Sequence, residues 1–270
     1  LIEEDRSDHF RHTIIPGTLR LLRPPQQAGF RVLDIACGQG ALCRRMAQLG
    51  VDAVGVDASA RLIAAARRHT QGEGPARFEV GDARFLGSLP PDIRGTPFDA
   101  ASCVMALMNI DPLEPVLRGA ASLLKPGGAF VAVILHPAFR APGQTSWQWD
   151  YGRESAPPQR GPRSPGPRSG PPRAEVRQFR RVDGYLSTGQ TPITMNPGSA
   201  SRGAAPVTTW TFHRPIQSYV KALADAGFLI EAIEEWPSMR QSQPGPRAAE
   251  ENRARREIPM FLGIRAVRRG

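Results

Sequence analysis

Residues 32 to 40 read VLDIACGQG, and the helical pattern ALCRRMAQLG follows at once. A short apolar run that breaks at glycines and enters a helix brings backbone close to a ligand and aims the helix N–H groups at it. The feature demands an α/β unit with a crevice at the carboxyl end of its first strand. It does not meet the dinucleotide fingerprint G-x-G-x-x-G, because Gly38 and Gly40 are followed by Ala41, Leu42 and Cys43. A nicotinamide dehydrogenase would need that third glycine and a turn hospitable to phosphate. Asp34 argues against such a turn: its carboxylate repels phosphate and can accept a hydrogen bond from an ammonium group.

Strand-type runs alternate with helical patterns through the next hundred residues. Strands are expected at 31–36, 53–56, 77–80, 99–104 and 129–135, and helices at 41–49, 61–69 and 113–124, with Ser59 as an N-cap. This alternation predicts parallel pairing through right-handed crossovers. The pattern fails from 137 to 206, which is rich in Pro, Gly, Arg and Ser. Within it PPQRGPRSPGPRSGPPR (157–173) holds too little apolar surface to fold alone and reads as a surface loop. Trp147, Trp149, Tyr151, Tyr185 and Trp210 supply aromatic anchors that would pack on the core or on a ligand. Order returns with a helix at 216–226, closed by Gly227, then strands at 228–234 and 259–267; the Arg/Glu-rich stretch 247–257 reads as a solvated helix or loop. The expected architecture is α/β, a Rossmann-like doubly wound, mostly parallel seven-stranded sheet built from 1–136 and 207–270. An inserted lid, 137–206, separates the fifth strand from the following helix.

VLDIACGQG resembles the first motif of class I S-adenosylmethionine-dependent methyltransferases, an acidic residue followed by G-x-G-x-G. Asp34 holds the acidic position, Ala36 stands for the first glycine, and Gly38 and Gly40 hold the other two, with Cys37 between. GVDAS, EVGDA, FDAASCVMALMNI (98–110) and LLKPGGAFVAVI (123–134) resemble the later motifs in their family order. The resemblance implies S-adenosylmethionine as cofactor and S-adenosylhomocysteine as product. It also implies Asp57, with Ala58, on the ribose hydroxyls, Asp82 and the Ala83 backbone on adenine, and Met105 beside the cofactor. Residues 30 to 136 carry it strongly and 214 to 267 more loosely, where RPIQSYVKALADAGFLIEAIEEW is similar to the end of small-molecule members.

Methyl transfer from a sulfonium is an in-line displacement whose leaving group is already activated. The protein must align nucleophile, methyl carbon and sulfur, and a base is needed only for a nucleophile of high pKa. His136, in VILHPAF, follows the fifth strand at the crevice end of the sheet and is a candidate base and substrate contact. His213, in WTFHRPI, is the second candidate for both roles, and Arg214 beside it could bind an acidic substrate group. Trp147 and Tyr185 are further candidate substrate contacts. DHFRHTIIPG places His9, Phe10 and His12 on a segment able to close over the cofactor.

The formal net charge of +10 raises a nucleic-acid partner, but the positive charge is nearly all arginine, with only Lys125 and Lys221 as lysines, and much of it lies in Pro/Gly-rich segments. Amino methylation of bases would want Asn/Asp-Pro-Pro-aromatic where this chain has NIDP, and cytosine carbon methylation a Pro-Cys where Cys103 follows Ser102. The 3 cysteines, Cys37, Cys43 and Cys103, have no metal-type spacing and read as reduced thiols. No apolar run reaches bilayer length, and no signal-type segment opens the sequence. The expectation is a cytoplasmic enzyme without metal or membrane anchor, moving methyl to oxygen or nitrogen of a small organic molecule. The alternatives are a protein that binds S-adenosylmethionine without transfer, or an RNA methyltransferase.

Overall fold

A computed structural model describes residues 8–24, 29–70, 76–152, 176–194 and 207–270. The proline-rich tract 157–173 lies outside the described residues.

A π-helical turn (Phe10–Ile14) leads into α1 (Ile15–Leu22). Then follow β1 (Arg31–Ile35), α2 (Ala41–Gln48), β2 (Asp52–Asp57), α3 (Ala60–His69) and β3 (Ala76–Val80). Next come α4 (Pro91–Arg94), β4 (Phe98–Val104), α5 (Glu114–Leu123) and β5 (Leu124–Leu135). After the insertion, α7 (Ile216–Asp225), β10 (Phe228–Trp236), α8 (Ala248–Glu257) and β11 (Phe261–Arg268) complete the core. The strands form a 7-stranded sheet in the order β10-β11-β5-β4-β1-β2-β3, and β11 alone runs antiparallel to its neighbours.

Local chemistry explains most boundaries. Ser59 accepts the Leu62 N–H at 3.3 Å and starts α3. Gly227, at φ +87°, takes the left-handed position that ends α7. Central strands are covered on both faces, so they read as continuous apolar runs. Leu33, Ile35, Val54 and Phe130 pack toward α5 and α7, and Val32, Ala53, Val131 and Val133 toward α1, α2 and α3. Those two layers make the fold doubly wound, as expected.

The insertion holds α6 (Pro137–Arg140) and the hairpins β6 (Thr145–Asp150) with β7 (Arg177–Val182), and β8 (Gly189–Thr194) with β9 (Thr208–His213). Residues 208–213, read from sequence as core, hydrogen-bond to β8 and not to the main sheet. The Thr211 hydroxyl ties this hairpin to the turn after β4 by donating to the Met108 carbonyl at 3.3 Å. Stretch 247–257 is the helix α8, docked where Glu250 accepts the Gln178 N–H of β7 at 2.7 Å.

Candidate functional site

The glycine turn is wound by left-handed residues: Ala36 (φ +57°), Gly38 (+57°) and Gly40 (+78°). A Cβ at Gly40 would lie 2.5 Å from the Phe78 ring, so only glycine fits there. Ala36 carries that conformation with a side chain, a strain typical of ligand sites. Two contacts hold the turn against β2. The Cys37 N–H donates to the Val56 carbonyl at 3.0 Å, and the Gly38 N–H donates to Asp57 Oδ2 at 3.0 Å. Asp57 Oδ1 accepts the Ser59 N–H at 2.8 Å. A carboxylate has about four acceptor sites, so each oxygen of Asp57 retains capacity.

A cavity of about 330 Å³ opens at the carboxyl ends of β1, β2 and β3. Ala36, Asp57, Ala58, Asp82 and Ala83 line it from the core, and Trp210 and Phe212 of β9 cover it from the insertion. The Asp82 carboxylate receives the Arg84 N–H at 2.9 Å and its guanidinium at 2.6 Å, which holds the acid below its ordinary pKa. Asn109, the first residue of NIDP, lines the same cavity; its Oδ1 is buried without a hydrogen-bond partner. A narrower cavity meets this one at Ala36 and is bounded by Phe10, Asp34, Cys37, Leu42 and Val104. Phe10 thus comes from the N-terminal segment expected to close over the site. Asp34, 3% exposed, accepts the Ser102 hydroxyl at 2.7 Å and the Cys43 thiol, and burial raises its pKa to about 7. Met105, after β4, also takes a positive φ of +57°, and its N–H donates to the Val133 carbonyl at 2.7 Å.

The substrate and base candidates fall differently. His136 is 2% exposed: Nδ1 accepts the Ala138 N–H at 3.2 Å, and Nε2 lies 2.7 Å from Glu235 Oε1. Nδ1 is an acceptor here, so Nε2 carries the proton, and neither nitrogen is open to take one from a nucleophile. In this arrangement His136 ties α6 to β10. His213 keeps more freedom, since Nε2 donates to the Tyr185 carbonyl at 2.9 Å and Nδ1 retains its lone pair. The Tyr185 hydroxyl accepts the Ile216 N–H at 2.9 Å, so this residue anchors the start of α7. At Trp147, Arg140 and Arg180 lie 5.2 and 5.1 Å from the ring. Arg214 donates to the Ile110 carbonyl at 2.9 Å and pairs with Asp111 at 2.5 Å, and it lines cavities beside the insertion.

Residues 32–128 match the family model described as a methyltransferase domain. In sequence the chain is 35% identical over 102 residues to a ubiquinone biosynthesis O-methyltransferase of Xanthomonas euvesicatoria, covering 37% of this chain and 41% of that one. To the protein of the same name in Xanthomonas campestris it is 37% identical over 110 residues, 40% of this chain and 44% of the other. The chain therefore spans less than half the length of these curated relatives. Among solved structures it is similar to an S-adenosylmethionine-dependent methyltransferase from Mesorhizobium loti, at 25% identity and TM-score 0.63, over 98% of this chain and 100% of that one. A glycopeptide N-methyltransferase complexed with sinefungin shares the fold at 16% identity and TM-score 0.56, over 94% of this chain and 92% of that one. Residues 32–128 thus carry a methyltransferase domain over the glycine turn and the first parallel strands, and the fold of the chain is that of the S-adenosylmethionine-dependent methyltransferase from Mesorhizobium loti.

Proposed function

We propose that this protein transfers the methyl group of S-adenosylmethionine to oxygen or nitrogen of a small organic acceptor. The observation that carries the reading is the Asp57 carboxylate, set at the end of β2 with acceptor capacity to spare, in a cavity bounded by the left-handed Ala36. A vicinal diol is the group such a carboxylate suits. The orphaned Asn109 Oδ1 fits the same cofactor, because it offers an acceptor for an amino group where Asp82 is already engaged by Arg84. Asp57 and Ala58 would hold the ribose, Asp82, Ala83 and Asn109 the adenine. Asp34, Ala36, Cys37, Gly38, Gly40 and Met105 would bound the methionine portion.

When bound, S-adenosylmethionine supplies a methyl group on a sulfonium, whose departure as a thioether needs no acid. The chain's task is alignment and exclusion of water. Phe10 and the β9 residues Trp210 and Phe212 are placed to close the crevice from both sides. His213, with Nδ1 unprotonated while Nε2 donates to Tyr185, is the histidine suited to accept a proton from the acceptor. The curated relatives named above are O-methyltransferases, which favours oxygen and a small-molecule substrate.

Calorimetric titration with S-adenosylmethionine, S-adenosylhomocysteine and NAD, side by side, tests this reading. Binding of both adenosyl ligands and not of NAD is expected. Binding of NAD alone would overturn it.

A further inference from the structure

Methyl transfer does not explain a second cluster on the insertion. Arg140 ends α6, just after β5, and Arg214 stands between β9 and α7. Both line a narrow cavity of about 30 Å³ with Met108, His136, His213 and Tyr219. The Arg214 side chain is 10% exposed; its Nη2 is held by Ile110 and Asp111 and the guanidinium lies beside the Tyr219 hydroxyl, while its Nη1 is buried with no hydrogen-bond partner by geometry. Arg140 Nε is buried and unpartnered in the same way. Among the described residues no carboxylate pairs with Arg140. Its charged neighbours are Arg180 and Arg255, and burial together with these cations lowers its pKa to about 10. A desolvated guanidinium beside other cations, with a donor aimed at nothing, is costly to maintain, and an anion in the cavity removes that cost.

We propose that this cavity receives a carboxylate carried by the acceptor molecule, with Arg140 Nε and Arg214 Nη1 as its donors. The proposal rests on the methyl-transfer reading and names the substrate class for it. A water-sized group needs about 10–15 Å³ of such space, so a cavity of about 30 Å³ has room for the two oxygens of a carboxylate. The body of the acceptor belongs in the adjoining cavity of about 480 Å³, which shares Phe212, His213 and Arg214 with the narrow one. Phe212 also lines the cofactor cavity, so an acceptor anchored by its carboxylate lies against the wall that faces the cofactor. His213 borders both acceptor cavities, within reach of the group to be methylated.

The test is calorimetric binding of benzoate, benzamide and phenyl phosphate to protein saturated with S-adenosylhomocysteine, for the parent and for Arg140→Gln. Benzoate is expected to bind at least tenfold more tightly than either of the others. Arg140→Gln should abolish that preference while S-adenosylhomocysteine affinity stays within twofold. Equal binding of benzoate and benzamide, binding of neither, a preference for phenyl phosphate, or a preference that survives Arg140→Gln overturns the proposal. Should Arg140→Gln lose S-adenosylhomocysteine as well, Arg140→Lys carries the comparison: it keeps charge without the fork, and an unchanged benzoate preference would overturn the assignment. If S-adenosylhomocysteine fails to bind the parent protein, the methyl-transfer reading itself falls, and the carboxylate site falls with it.

Discussion

Asp57 Oδ2 accepts the backbone N–H of Gly38 at 3.0 Å, joining the end of β2 to the glycine turn after β1. One carboxylate therefore shapes the turn and lines the cavity at the ends of β1, β2 and β3. Asp57→Ala should weaken S-adenosylhomocysteine binding at least tenfold, since charge-assisted hydrogen bonds of about 1.5–3 kcal/mol each are lost. Calorimetry decides this, and full retained affinity would sink the assigned pocket.

Asp34 predicts an unusual pH dependence. Its pKa is about 7 in the fold against an ordinary 3.8, chiefly through burial, with the neighbouring Asp57 charge adding to it. Between those values the folded chain holds a proton that the unfolded chain has released. The group's contribution to stability is thus fully present below 3.8 and lost as pH rises toward 7. Asp34→Asn should stabilise the ligand-free protein at pH 8 by roughly 1–3 kcal/mol relative to parent, and much less at pH 4. Denaturant unfolding at the two pH values measures the difference. Under the proposed assignment the same variant should also bind S-adenosylmethionine more weakly, since Asp34 would bound its methionine portion.

His136 should behave as a structural residue. Burial lowers its pKa from 6.5, partly opposed by Glu235, so the folded state resists protonation and its contribution is lost as pH falls below 6.5. His136→Ala removes a stacked ring on Phe139, at 4.7 Å, and two hydrogen bonds. The expected cost is about 2–4 kcal/mol of stability, with the shape of the pH–rate profile retained. A profile that lost its acidic limb would restore His136 as the base.

Gly40 and Gly50 form a matched pair. Both have φ near +78°, but a Cβ at Gly40 meets Phe78 at 2.5 Å, while nothing lies within 4 Å at Gly50. Gly50→Ala should cost about 1 kcal/mol, the left-handed penalty alone. Gly40→Ala should cost about 2–4 kcal/mol and loosen cofactor binding. Equal melting temperatures for the two variants would show that the turn yields without strain.

The parallel core was legible because its signals are local. VLDIACGQG, the Ser59 cap and the Gly227 stop each act within a few residues, and buried central strands advertise themselves by unbroken apolar runs. His136 shows where that legibility ended. Its position after β5 was readable, but its partner Glu235 lies 99 residues further along. The same holds for Thr208–His213, whose extended pattern does not say which strand it will join. The unpartnered atoms of Asn109 and Arg140 were not readable, because an unpartnered buried atom exists only once distant elements have closed around it.

The amino-acid sequence by itself determined the order of strands and helices, the glycine turn and the acidic residues that follow successive strands, since these depend on periodicity and backbone freedom over short spans. Tertiary structure alone decided that His136 pairs with Glu235, that Trp210 and Phe212 line a cavity at the strand ends, and that Arg140 and Arg214 line one narrow cavity. Those outcomes follow from desolvation and pairing between segments far apart in the chain, and the energy of a buried polar group depends on what surrounds it in space.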